Sequence, residues 1–295
     1  MRKLINKFKE LILKSPNPYF VYFIILFLSK RNRYINKKYL GYGLLKNLVN
    51  RIGFSKFLLS GTGVLVLFYK DSVIKIPLSD LASASLKKDL KFYNEAVNNR
   101  INIFFNYSFN KLESGYKMDL LNENKNLHSD YIKKLQLIGI ENSIYIQKEL
   151  SIRDCLYLCP NYGVIESRCG FVFDLEKNIN VAIGFMHGDL TNRNLLADVN
   201  GNCCLIDLDR STFDGIRELD EVHYLVDEES KRKGMSFFTF IEENLNSLNI
   251  KFELNIIYLY LMYRLCVECK VEIILNDTYY IEAKNCHDFL CSRMV

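Results

Sequence analysis

Residues 186–210 constrain the fold of this chain more than any other stretch. They read Met-His-Gly-Asp-Leu-Thr-Asn-Arg-Asn-Leu-Leu-Ala-Asp-Val-Asn-Gly-Asn-Cys-Cys-Leu-Ile-Asp-Leu-Asp-Arg. Asn194 follows Asp189 by five residues, and Asp207 follows Asn194 by thirteen. Two short apolar runs, 195–196 and 203–208, flank Asp198-Val-Asn-Gly201, a strong signal for a hairpin turn. Asp189 and Asn194 are therefore expected on a loop entering one strand, and Asp207 at the end of the next. A hairpin whose Asp and Asn residues merely make turns explains any one of these positions. It does not explain His187-Gly-Asp, the spaced Asn and the strand-end Asp together.

That arrangement suits phosphoryl transfer. A loop carboxylate can accept the proton of an attacking hydroxyl, while an Asn and a strand-end Asp hold Mg²⁺ on nucleotide phosphates. Asp189, Asn194 and Asp207 take those three roles in order, with Asn194 and Asp207 as the metal ligands. On these residues the chain resembles the aminoglycoside phosphotransferase and choline kinase branch of the protein-kinase-like superfamily. Those enzymes carry His-Gly-Asp where protein kinases usually carry His-Arg-Asp, and Ile-Asp followed by varied residues in place of Asp-Phe-Gly. Here Asp207 is followed by Leu208-Asp209. Within the branch, the chain is similar to kinases of bacterial lipopolysaccharide and surface-polysaccharide pathways. The resemblance covers roughly residues 55–270 and is sharp across 186–210. It implies an α+β, two-lobed fold with a small β-rich N-lobe and a mostly helical C-lobe, using ATP and Mg²⁺.

Charge is distributed unevenly. The chain carries +5 overall, yet residues 1–51 hold twelve Lys/Arg against the single acid Glu10, so the remainder carries −6. A basic segment of that kind expects an anionic partner. Residues 2–14 place Leu4, Ile5, Phe8, Leu11 and Ile12 on one helical face with lysines on the other. Ser15-Pro-Asn-Pro18 ends that helix, and the apolar, aromatic run 19–28 and Lys30-Arg-Asn-Arg33 follow. Ten apolar residues are too few to cross a bilayer, which takes about 20, and no small-residue cleavage site follows. Two readings stand level. Residues 1–33 lie in the plane of an anionic membrane surface, or they pack on the kinase lobe as extra helices. No nucleic-acid partner is expected, and the location is cytoplasmic or peripheral on the inner face of the cell membrane. Nine cysteines without a secretory signal, several in apolar runs, read as reduced core thiols.

The chain divides into a basic helical extension (1–53), a nucleotide-binding N-lobe (54–121) and a catalytic and substrate-binding C-lobe (122–295). Residues 57–70 read as strand, tight turn, strand, with Gly61 and Gly63 at the turn to let backbone approach ATP phosphates. Val73-Ile-Lys75-Ile-Pro is a third strand. Lys75, flanked by Ile74 and Ile76, is favoured over Lys70 as the phosphate lysine. Residues 82–100 read as a helix that offers Asp89 and Glu95 as partners for Lys75, and the family pattern favours Glu95. Strands are expected over 101–110 and 114–121. The second ends in a stretch that resembles the family's hinge, where the resemblance implies that backbone near Asp119 and Leu121 binds adenine.

In the C-lobe, helices are expected over 128–138, 142–158, 235–247 and 252–269. Asp220 is expected to brace the catalytic loop, Asp209 either assists the metal or makes a turn, and His223 is read as structural. The activity implied is phosphorylation of a sugar hydroxyl in a glycan or lipid-linked saccharide. A small-molecule kinase of aminoglycoside or choline type is the alternative, and a catalytically inactive kinase-like scaffold comes from another class. The complete set of Asp189, Asn194, Asp207 and Lys75 speaks against the scaffold.

Overall fold

A computed structural model describes residues 18–29, 35–40, 44, 48, 53–60, 62–98, 101, 104–105, 107–112, 115–123, 127–142, 145–159, 162–163, 176–270 and 277–294. The chain forms two compact units, residues 1–127 with 196–209, and residues 128–195 with 210–295. The hairpin stretch 196–209, which the sequence assigns to the C-lobe, thus belongs to the first unit. The first unit is β-rich and the second mostly helical.

The first unit is built on a five-stranded antiparallel sheet of β1 (Lys56–Leu59), β2 (Val64–Phe68), β3 (Ser72–Pro77), β4 (Phe109–Lys111) and β5 (Tyr116–Asp119), in the order β1-β2-β3-β5-β4. Alternation along β3 sends Ile74 and Ile76 to one face and Lys75 to the other. The Ile face is covered by α1 (Pro18–Ser29), whose Val21 and Ile25 share a buried cluster with Phe57, Leu65 and Leu67. The Tyr22 hydroxyl donates to the Leu40 carbonyl at 2.7 Å. Residues 18–29 therefore pack as an added helix of the first unit, whereas 1–17 and 30–34 lie outside the described residues.

Helix α2 (Asp80–Val97), capped by Ser79 Oγ accepting from the Ala82 amide, lies on the Lys75 face. Its buried stripe of Ala82, Leu86, Asp89, Tyr93 and Ala96 follows helical spacing. Strand β4 is shorter than expected, because Phe104, Phe105 and Tyr107 turn inward as aromatic core before it begins. The hairpin of β8 (Leu195–Ala197) and β9 (Cys203–Leu205) closes through Asp198, which accepts from the Asn200 and Asn202 amides at 2.8 Å. Its Ala197 bridges to Asn122.

The second unit carries a three-stranded sheet, β10 (Thr212–Ile216), β7 (Asn178–Met186) and β6 (Tyr145–Ser151). Around it stand α3 (Leu127–Asn142), α4 (Ile152–Tyr157), α5 (Arg217–Lys233), α6 (Phe237–Asn249), α7 (Leu254–Lys270) and α8 (Asp277–Met294). The helix expected over 142–158 is instead strand β6 followed by the short α4. Pairing of β6 with β7 along seven residues overrides the local helical pattern. Every residue from Ile256 to Leu265 is buried, so α7 is the apolar axis of this unit. Among the described residues no helix is long and apolar enough to cross a membrane. The seven described cysteines form no disulfide with one another, and six of them are buried. The Cys266 and Cys286 thiols are buried core groups, and no described cluster of three or more His, Cys, Asp or Glu forms a metal cage.

Candidate active site

In the first unit, Lys75 sits opposite Val66 on β2 and Tyr116 on β5. Its ammonium pairs with Asp207 Oδ1 and lies 5.5 Å from the centre of the Tyr116 ring. Burial works against that charge, but Asp207, Asp89 and Asp209 together outweigh it and hold the lysine above its ordinary range. Lys70, at the β2–β3 turn, lines a cavity with Asp71 and Asp119.

The carboxylate that α2 brings to Lys75 is Asp89, not Glu95. Asp89 is buried, takes a hydrogen bond from the Tyr116 hydroxyl at 2.7 Å on Oδ2, and leaves Oδ1 buried without a partner. Glu95, six residues on, leaves the buried stripe for the surface, where Lys91 lies 3.7 Å away. Burial raises Asp89 to about 7, with Lys75 pulling it down and Asp207 and Asp209 pushing it up.

Three carboxylates thus meet one ammonium, an excess of negative charge made of hard oxygen donors. Asp209 accepts from Ser85 Oγ at 2.7 Å through Oδ2. Asp207 Oδ2 and Asp209 Oδ1 have no partner among the described residues. Asp207 and Asp209 offer hard oxygens of the kind that Mg²⁺ takes from one or two carboxylates, with phosphate and water oxygens completing its shell. Asp207 is also the one described non-glycine residue at positive φ, +58°, a strained conformation of the sort found where a side chain must be aimed.

The turn between β1 and β2 has Gly63 at φ +90°, and Gly61 lies outside the described residues. Below the sheet end, a cavity of about 370 Å³ is lined by Lys70, Asp71, Tyr107, Asp119, Leu121 and Asp198. The Asp119 side chain is occupied by Ser108, from the amide at 2.7 Å and the hydroxyl at 2.5 Å. Both Asp119 side-chain oxygens are thus engaged within the first unit.

In the second unit, Asp189 follows strand β7 on the loop that leads to β8. Asn194 closes this loop: its Nδ2 donates to the Asp189 carbonyl at 2.8 Å, and its amide donates to Thr191 O at 3.0 Å. Its side-chain oxygen stays uncommitted among the described residues. Asp220, buried in the first turn of α5, accepts from the His187 amide at 2.5 Å and the Gly188 amide at 2.8 Å. Burial pushes Asp220 up to about 6, opposed by His187 and those two amides. Gly188 explains the His-Gly-Asp spelling. At φ +80°, a Cβ there would meet Arg210 O at 2.5 Å and the Tyr263 hydroxyl at 2.6 Å.

The sequence did not single out the environment of Asp189. Arg210 Nη1 and Arg264 Nη1 each stand 3.1 Å from its Oδ1. His223 Nε2 lies 3.2 Å from the same oxygen, off the line of a well-formed hydrogen bond. Oδ2 has no partner among the described residues. Burial favours protonation of Asp189, but His223, Arg210 and Arg264 overcome it and hold the carboxyl far below its usual range. His223 is itself lowered by burial, and its Nδ1 lies 2.9 Å from the Tyr260 hydroxyl. Arg264 was the visible clue, a lone charge within the apolar run 256–265. A guanidinium is costly to bury unless it is paired.

The first unit has a turn between its first two strands, a lysine on the third and a carboxylate on the following helix. A catalytic-type loop then leads through a hairpin to a strand-end Asp, the order of parts in the kinase template. The fold is protein-kinase-like.

No family model matches the chain, and no curated protein matches it significantly. Among solved structures it is similar to the choline kinase LicA from Streptococcus pneumoniae. The two are 16% identical with a TM-score of 0.40, over 84% of this chain and 97% of that one. It is also similar to the bifunctional kinase-methyltransferase WbdD, at 13% identity and a TM-score of 0.28, over 76% of this chain and 47% of that one. A co-crystal structure of WbdD with the kinase inhibitor LY294002 gives 14% identity and a TM-score of 0.30, over 79% of this chain and 50% of that one. The chain spans about half the length of WbdD.

Proposed function

We propose that this chain is an ATP- and Mg²⁺-dependent phosphotransferase acting on a hydroxyl of a sugar in a glycan or lipid-linked saccharide, of the lipopolysaccharide or surface-polysaccharide kinase type. The observation that carries the reading is the Asp189 carboxylate, anchored through Oδ1 and open at Oδ2. An open, oriented carboxylate oxygen can take a hydrogen bond from an acceptor hydroxyl and receive its proton as the new ester bond forms. Held so far towards its ionised form, Asp189 orients the hydroxyl more than it abstracts a proton ahead of transfer.

Lys75 would bind phosphate oxygens, with Asp89 as its buried counter-charge. Asp207 and Asn194 would hold the metal through their uncommitted oxygens, and Asp209 stands by as a further oxygen donor. Bound Mg-ATP would supply the transferable phosphoryl group with its charge already partly neutralised. Gly63, together with Gly61, would admit the phosphates, and backbone at Asp119 and Leu121 would meet adenine beside the cavity there. The basic N-terminus is proposed to keep the enzyme at the inner face of an anionic membrane. Tyr19 and Phe23, 62% and 68% exposed on α1, could add apolar contact there.

The test is a thermal-shift titration with Mg-ATP on wild type and Asp207→Ala, paired with label transfer from ATP to glycan acceptors. A saturable rise in Tm that the variant loses supports the metal–nucleotide site. No rise in either protein would overturn the kinase reading in favour of a binding scaffold.

A further inference from the structure

The exposed charge around Asp189 is the wrong sign for a cationic acceptor. Arg210 spends Nη1 on Asp189, its guanidinium makes no other hydrogen bond or ion pair among the described residues, and its side chain is 26% exposed. Arg193, one residue before Asn194 on the same loop, is exposed and makes no ion pair among the described residues. The buried Arg264 already answers the Asp189 charge from beneath, with a side chain only 6% exposed. One partly exposed guanidinium therefore stands on the Asp189 carboxylate, and the same loop carries a second, exposed arginine.

The acids of the neighbouring helix do not reverse this balance. Asp220 is turned to the loop amides, Glu221 to Arg217 at 2.5 Å, and Asp227 to Lys231. Glu218 accepts from the Ala182 amide at 3.1 Å. Glu229 pairs with Arg232, and Glu228 acts on the Tyr224 phenol.

We infer that the acceptor carries an acid group beside the hydroxyl that is phosphorylated, and that Arg210, supported by Arg193, binds that group. This rests on the phosphotransferase reading above and narrows it. A guanidinium offers a planar fork of N–H donors matched to carboxylate or phosphate oxygens. With Nη1 on Asp189 and its other N–H donors uncommitted among the described residues, Arg210 can hold an anion while the Asp189 carboxylate orients a hydroxyl of the same molecule. A sugar acid or a phosphorylated sugar has both groups within a few bonds. An amino sugar or a quaternary amine would meet the Arg210 guanidinium instead.

The deciding experiment is saturation-transfer-difference NMR with glucuronate, glucose and glucosamine as probes, on the full chain and on Arg210→Gln. The Mg-ATP thermal shift is recorded in parallel. Wild type is expected to bind glucuronate at least five-fold more tightly than glucose, with glucosamine weakest. Arg210→Gln is expected to bring glucuronate down to the glucose level and to keep the Mg-ATP shift. Equal or absent binding of all three probes by wild type overturns the inference, as does a glucuronate preference that survives in Arg210→Gln. Loss of the Mg-ATP shift in Arg210→Gln also overturns it, because the anion would then be a nucleotide phosphate. If wild type itself shows no Mg-ATP shift, the phosphotransferase reading fails separately, whatever the probes do.

Discussion

Asp89 in the first unit and Asp189 in the second are both carboxylates set beside cations, yet their environments drive them in opposite directions. Asp89 shares a single lysine with Asp207 and Asp209, and burial raises it to about 7. Asp189 has two arginines and a histidine on one oxygen, and they hold it far below the ordinary range despite its burial. The difference lies in the ratio of cations to carboxylates. A site short of cations is prepared to receive one, and a site with cations to spare is prepared to keep its own carboxylate ionised. This suits the roles proposed above, Lys75 and Asp207 for phosphate and metal and Asp189 for the acceptor hydroxyl.

The largest expected effect comes from breaking the second cluster. Arg264→Leu removes a guanidinium that is almost wholly buried and leaves Asp189 under-compensated. Removing one partner of a buried pair costs about 3–5 kcal/mol, and the lower end applies because Asp189 is partly exposed. At about 2–4 °C per kcal/mol, Tm at pH 7 should fall by about 10 °C. Arg264→Leu combined with Asp189→Asn should recover part of that loss, because the stranded charge is gone. An unchanged Tm in the single variant would mean that Arg210 and His223 suffice to hold the carboxylate.

The first cluster should respond to pH with the opposite sign. The folded protein holds the Asp89 proton up to about 7, against an ordinary value of 3.8. Between those limits unfolding releases a proton, so the stabilisation present below about pH 4 is lost as pH rises through 7. Asp89→Asn removes this dependence. The Tm of Asp89→Asn minus that of wild type should therefore grow by a few degrees from pH 4.5 to pH 7.5 without nucleotide. A difference that stays flat with pH would show that Lys75 keeps Asp89 ionised throughout.

These contrasts also mark what could be read before the fold was known. The hairpin, the loop and the strand-end Asp were legible because local turn chemistry and spacing place them. Lys75 was legible from the alternation of its strand. Asp89 could have been preferred to Glu95 on helical phase alone, since it lies in one stripe with Ala82, Leu86, Tyr93 and Ala96. The family pattern pointed to Glu95, and phase decides against it. Strand β6 was hidden because its partner β7 begins 27 residues after it ends, and pairing at that separation leaves no local mark. Arg264 announced a buried charge, but the identity of its partner, 75 residues earlier, came only with the fold.

The smallest effect expected lies at the edge of the same catalytic loop. The Tyr224 hydroxyl donates to Asn192 Oδ1 at 2.5 Å, and the Tyr224 ring stacks on His128 with centroids 3.6 Å apart and planes 7° from parallel. Tyr224→Phe deletes the hydrogen bond and keeps the stack. A neutral hydrogen bond contributes about 0.5–1.5 kcal/mol, and at this exposed position the low end applies, so Tm should drop by about 1–2 °C. If the loop is fixed mainly by the charges on Asp189 and by the amides that Asp220 accepts, kcat should fall only about two-fold, with little change in nucleotide KM. Tyr224→Ala, which also loses the stack, should cost more in both stability and rate. A loss of turnover in Tyr224→Phe as large as that in Arg264→Leu would break the comparison. Loop geometry would then depend on Asn192 as much as on the arginines, and the excess of positive charge would serve the acceptor more than it serves Asp189.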